Sequence, residues 1–208
     1  MQKIFVICFI SLCLLCMGTG CASMPYRVVK DYPEYNHIVE LSNQVIRVSD
    51  NPQHKIKVFI ADLPDGIGGF AKGNSMYLSR RAVSVYPDSD ILKLIAHEYA
   101  HIECKHRLQQ GILSTTITGA FLIGDYFIPG LGWLNHAVNP VIVRAYTVAE
   151  EKEANRKATD CMIKMGYDKN TILEYLKMCK SDINLFKYTA HTSIDDEIKD
   201  LESYLKTK

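Results

Sequence analysis

The stretch IAHEYAH, residues 95–101, sets His97 and His101 four apart with Glu98 directly after the first. If the stretch is helical, positions i and i+4 share a face one turn apart, so both imidazoles reach one cation. Glu98 is rotated about a third of a turn away. It borders that point without joining the ligands, which suits a base that takes a proton from water the metal activates. Asp88-Ser89-Asp90 supplies an N-cap for a helix from about Ile91 to Gln110. A catalytic zinc takes three protein ligands and leaves one position open. One known pattern puts a glycine seven residues and a histidine ten residues after the first histidine. Those positions hold Cys104 and Arg107, which excludes it. His106 falls one residue short and, in a continuous helix, faces elsewhere. The third ligand is therefore expected from a later helix.

The candidate stretch is AEEKEANRKATD, residues 149–160, where Glu150, Glu151 and Glu153 compete. Helical spacing favours Glu151, because residues 151, 154, 155 and 158 share a face that reads Glu, Ala, Asn, Ala. The small alanines let this helix lie close to the histidine helix, while Glu150 and Glu153 point to water. Cys104, on the histidine helix, is expected to pack as a small buried thiol.

The rest of the 208 residues frames one domain of mainly helical α+β class. Residues 35–48 repeat apolar positions at helical spacing through Ile38, Leu41, Val45 and Val48. KIKVFIA at 55–61 alternates as a strand does, and Ser75–Ser79 reads as a second strand after a turn at Lys72-Gly73-Asn74. Residues 111–145 are apolar with scattered Gly and Pro. They read as a buried helical pair, with a membrane-facing surface as the alternative. A helix from Tyr146 to Met165 ends at Gly166, and two more are expected at about 169–180 and 194–206.

Composition is ordinary for a globular protein, 48% hydrophobic and 23% charged. A formal net charge of +1 carries no basic surplus for nucleic acid. Residues 1–20 have a signal-peptide layout: Lys3, an apolar run from Ile4 to Met17, then small residues. Gly18-Thr19-Gly20-Cys21 resembles a bacterial lipobox in which Cys21 is lipidated, with a soluble signal cut after Ala22 as the alternative. Residues 21–34 form a tether, and 35–208 the domain. Beyond the leader stand Cys104, Cys161 and Cys179. Cys161 and Cys179 either bridge two helices or are small buried thiols.

The pattern H-E-x-x-H, followed some fifty residues later by E-x-x-A-[DN], resembles the gluzincin zinc metallopeptidases of the HtpX and CAAX prenyl endopeptidase type. EKEAN at 151–155 is similar to the family's E-x-x-A-D. GGFAKGNSMYLSRRAV, residues 68–83, resembles its N-A-F-A-x-G hairpin, and AHTSIDDEIKDLESYL, residues 190–205, its T-H-P-S-x-x-x-R-I stretch. The resemblance covers roughly residues 35–205. It implies a zincin-like domain whose short antiparallel β-hairpin packs near the histidine helix. It further implies one Zn2+ on His97, His101 and Glu151, a general base at Glu98, and His191 facing the site to steady an oxyanion. An edge strand at Gly69, Phe70 and Ala71 would take polypeptide substrate. The small size and leader resemble the family's exported lipoprotein members, held through Cys21 on the periplasmic face of the outer membrane and cleaving misfolded or unassembled proteins. Several positions depart from the pattern, beginning with Gly68 and Gly69 where the hairpin segment has Asn-Ala. Asn155 replaces the Asp that orients a ligating histidine. Thr192 replaces Pro, and Glu197 the later Arg. Asn155 and the apolar 111–145 segment support a rival, a zinc-bound but weakly proteolytic, chaperone-like envelope protein.

Overall fold

A computed structural model describes residues 26–52, 55–181 and 194–208. The expected leader with Cys21 lies outside the described residues, and so does His191. Helix α1 (Tyr35–Val48) falls where the apolar spacing puts it and buries Ile38, Leu41 and Val45. Strands β1 (Lys57–Ala61), β2 (Gly69–Lys72) and β3 (Ser75–Ser79) form one sheet in the order β1-β3-β2. The expected antiparallel hairpin is β2–β3, turned at Gly73 with φ +56. β1 pairs parallel to β3, from Lys57 opposite Ser75 to Ala61 opposite Ser79, so the sheet is mixed. The chain from β1 to β2 skips the central position, which β3 then fills. β2 is left at the edge.

A short α2 (Arg80–Val85) leads into α3 (Asp88–Glu103), which carries the histidine motif. Asp88 and Asp90 lie in its first turn, where carboxylates suit the helix dipole. Every residue of α3 from Ile91 to Ala100 is buried, because α1, the sheet and α5 (Asn135–Lys164) all pack against it. Ala154 and Ala158 of α5 are fully buried, so the two helices approach closely, as the alanine spacing predicts. Ile95, Tyr99, Ile60, Leu78 and Met162 fill the centre. Each large aliphatic side chain sealed there contributes roughly 1.5–3 kcal/mol.

The helix expected to run to Gln110 stops at Glu103. Lys105 takes a left-handed conformation, φ 57, and a new helix α4 (His106–Phe127) leaves in another direction. After a 3-10 turn (Leu131–Leu134), α5 begins at Asn135, well before the expected Tyr146, and runs through Pro140. Residues 111–145 are thus helical, but they are not a buried pair. Leu122, Ile123, Tyr126, Phe127, Ile128 and Trp133 are exposed, because among the described residues no third layer covers them. No described helix is long and apolar enough to cross a membrane. Helices α6 (Lys169–Ser181) and α7 (Ile194–Leu205) complete the fold within a residue of expectation. Cys161 is a free, buried thiol packed with Ile163 and Met162 in the core, the second of its two expected roles, while the Cys179 side chain lies outside the described residues.

Candidate active site

His97 and His101 sit one turn apart on α3, and their Nε2 atoms stand 3.2 Å from each other. Glu151 of α5 faces them. Its Oε2 is 3.3 Å from His97 Nε2, and its Oε1 is 3.7 Å from His101 Nε2. All three side chains are at most partly exposed. The donor set can be tested against a metal by its spacing. Two ligands about 2.05 Å from a tetrahedral zinc stand about 3.3 Å apart. The His97–His101 and His97–Glu151 separations meet that spacing, and two nitrogens with a carboxylate are an ordinary zinc donor set. The three side chains therefore fit a divalent cation.

Electrostatics agree. Burial works against a charged His97 ring, yet the Glu151 carboxylate beside it, with Glu98 and Glu197 further off, holds it up at about 9. Burial would raise Glu151, but His101 and His97 hold its carboxyl well below the usual range. A proton thus favours the point where a cation would sit, and metal and proton compete for such ligands.

Glu98 lies beside this trio, buried, and burial is the main force pushing its carboxyl up against the pull of His97 and His101. A base poised above the ordinary glutamate range suits proton transfer near neutrality. The edge strand reaches it. A Cβ placed on Gly69 would stand 3.3 Å from Glu98 Cγ and 3.0 Å from the Tyr77 carbonyl oxygen. Phe70 turns its ring onto Tyr77, centroids 4.8 Å apart, and Ala71 is buried opposite Met76.

Three sequence expectations need correction. Glu150 does not point to water. It is buried and accepts a hydrogen bond from Gln110 Nε2, because α4 folds back along this part of α5. His106 does not face elsewhere. The break at Lys105 swings its ring under His101, with Nδ1 2.8 Å from His101 Nδ1. Glu153 is half exposed but engaged, within 3.4 Å of both His106 Nε2 and Cys104 Sγ. Cys104 is not the buried thiol expected: it is half-buried and turns its Sγ toward Glu153, because the chain changes direction just after it.

Asn155 meets His97: its Oδ1 is 3.1 Å from Nδ1. Its Nδ2 donates to Glu197 Oε2 at 3.3 Å. His106 and Glu197 are the residues that sequence reasoning missed. The only signals were the surplus histidine after the motif and the departure at 197.

A family model described as Peptidase family M48 matches residues 34–207. A search of curated proteins found no significant match.

Proposed function

The chain belongs to peptidase family M48 and is a metallopeptidase, a hydrolase of polypeptides; from that premise we propose a zinc-dependent endopeptidase of the bacterial cell envelope. His97, His101 and Glu151 hold the zinc, and Glu98 is the general base. The observation that carries the reading is the convergence of two imidazole nitrogens and one carboxylate at tetrahedral spacing, with a buried Glu98 alongside. Zinc held there supplies a Lewis acid that polarises the scissile carbonyl and acidifies water. Glu98 takes the proton from the attacking water and returns it to the leaving amine. An extended peptide adds to the β2 edge at Gly69, Phe70 and Ala71 by main-chain hydrogen bonds, which sets the scissile bond beside Glu98. His191 steadies the oxyanion, a role that rests on the resemblance of its segment alone. Lipidated Cys21 holds the enzyme at the periplasmic face of the outer membrane, where misfolded or unassembled proteins are its substrates. This part rests on the leader's layout.

Cleavage of an unfolded protein such as casein tests the enzyme. Chelator abolishes it, zinc restores it, and Glu98→Gln lowers kcat by on the order of 10²–10⁴-fold while zinc stays bound. Cys21→Ala moves the protein from the membrane fraction to the soluble one.

A second reading is a zinc-bound, chaperone-like protein that holds unfolded clients. The exposed apolar side chains between Leu122 and Trp133 favour it. It takes precedence if the zinc-loaded protein does not cleave casein and Glu98→Gln leaves client binding and the envelope phenotype intact.

A further inference from the structure

Both histidines of the trio spend their second nitrogen in the same way. His97 Nδ1 faces the Asn155 amide oxygen, and the Asn155 amide nitrogen donates to Glu197. His101 Nδ1 faces His106 Nδ1, and His106 Nε2 faces Glu153. Asn155, Glu197 and His106 are all buried, with His106 only 1% exposed. Buried polar groups are as a rule hydrogen-bonded.

The directions of these bonds follow from chemistry. The Asn155 amide nitrogen donates to Glu197, which leaves its oxygen facing His97. That oxygen only accepts, so His97 Nδ1 carries a hydrogen toward it and Nε2 is the nitrogen that faces Glu151 and the cation point. On the other side, a neutral His101 that offers its Nε2 lone pair to a cation must carry its hydrogen on Nδ1. It then donates to His106 Nδ1. A neutral His106 accepting there carries its own hydrogen on Nε2 and donates it to Glu153. Each chain starts at a ligand imidazole, crosses a neutral group and ends on a carboxylate.

We infer that Asn155–Glu197 and His106–Glu153 are paired positioning relays that hold His97 and His101 in the tautomer and orientation needed to bind metal. The inference rests on the zinc-site reading above and deepens it. It also accounts for two departures from the family pattern at once. Asn155 stands where the pattern has Asp, and Glu197 where it has Arg, and the two touch. The carboxylate missing at 155 is therefore restored one residue further out. Cys104, His106 and Glu153 also lie within 4.8 Å of one another as a possible second metal group. The relay denies them that role, because His106 Nε2 then carries a hydrogen and has no lone pair to give.

The test is zinc affinity of the full chain, measured by competition with a chromophoric chelator, alongside zinc content and the melting temperature without metal. Wild type is expected to bind one zinc. If it binds none, the zinc reading itself fails, which separates that failure from failure of the relays. His106→Leu weakens zinc by on the order of 10–100-fold, the usual loss for a group that orients a ligand. His106→Asn, whose amide oxygen can take the place of Nδ1, recovers most of that loss. Wild-type affinity in His106→Leu, or equal loss in both variants, overturns the role of His106. A second zinc removed by Cys104→Ser overturns it too. The other relay is read as a double-mutant cycle of near-isosteric changes that keep the fold. Asn155→Asp in the wild-type background sets two buried carboxylates against each other. In the Glu197→Gln background it puts one charge directly beside His97. Asn155→Asp is therefore expected to be at least about tenfold more favourable to zinc binding in the second background. An equal effect in both backgrounds overturns the Asn155–Glu197 relay.

Discussion

Gly69 is the residue through which the sheet touches the chemistry. Any side chain there meets the Tyr77 carbonyl and Glu98 Cγ. Gly69→Ala must therefore move the edge strand or the base, and displacements well under an ångström already cost rate. The expected result is a loss of about tenfold in kcat/KM on casein, with zinc content unchanged. The thiols give a separate check. Burial, helped by Glu153, pushes the Cys104 thiol up to about 12, and burial pushes Cys161 up to about 11. The thiolate is the nucleophile, so raised values mean slow reaction at neutral pH. Iodoacetamide at pH 8 should label neither residue in the native protein at an appreciable rate. Labelling should quicken above about pH 10, and it should be fast at pH 8 in urea, where ordinary thiol values near 8.5 return. Peptide mapping reads both sites. At this scale the gathering of His97, Glu98, His101, Glu151 and Asn155 was legible, because helical spacing together with the family resemblance put each on the face it takes. His106 and Glu197 were not, because each reaches the site only through a change of chain direction.

The backbone break between α3 and α4 is the element on which His106 depends. Lys105 adopts a left-handed conformation that costs a non-glycine residue on the order of 1 kcal/mol. Lys105→Gly is expected to be neutral or stabilising by up to about 1 kcal/mol in urea unfolding. A stable Lys105→Gly with unchanged zinc affinity shows that the turn itself, and not the lysine side chain, sets His106. At the end of α5 the logic reverses. Gly166 has φ +92, its N–H donates to the Ile163 carbonyl, and Tyr167 N–H donates to Met162. That is the glycine stop read from the sequence, and Gly166→Ala should cost about 1 kcal/mol by the same measurement. The contrast explains what could be read. Gly166 announces a helix end because glycine is the cheap left-handed residue. Cys104-Lys105 carries no such mark, so a continuous helix was the natural expectation. Pro140 shows the opposite case: proline normally interrupts a helix, yet α5 runs through it.

Among the described residues, a tightly packed body that holds the site contrasts with a helical pair whose far end is exposed. Phe127 and Trp133 are 74% and 76% exposed. Asp125 is the one charged side chain from Leu108 to Val143, and its carboxylate accepts from the Gly130 and Gly132 N–H groups. Such a surface binds apolar dyes in the native state. Phe127→Ser with Trp133→Ser is expected to lower that dye fluorescence several-fold. Unfolding free energy should change by less than about 0.5 kcal/mol, since exposed side chains contribute little to stability. The sequence by itself determined the mainly helical class, the hairpin, and which side chains, His97, His101 and Glu151 with Glu98 beside them, gather at one point. Those features depend on periodicity and on residue chemistry, and both are local. Only the tertiary structure decided that the sheet is mixed, that the apolar side chains from Leu122 to Trp133 stand exposed among the described residues, and that His106 and Glu197 stand behind the histidines. Each of these depends on which distant surfaces meet, and no spacing along a single helix or strand encodes that.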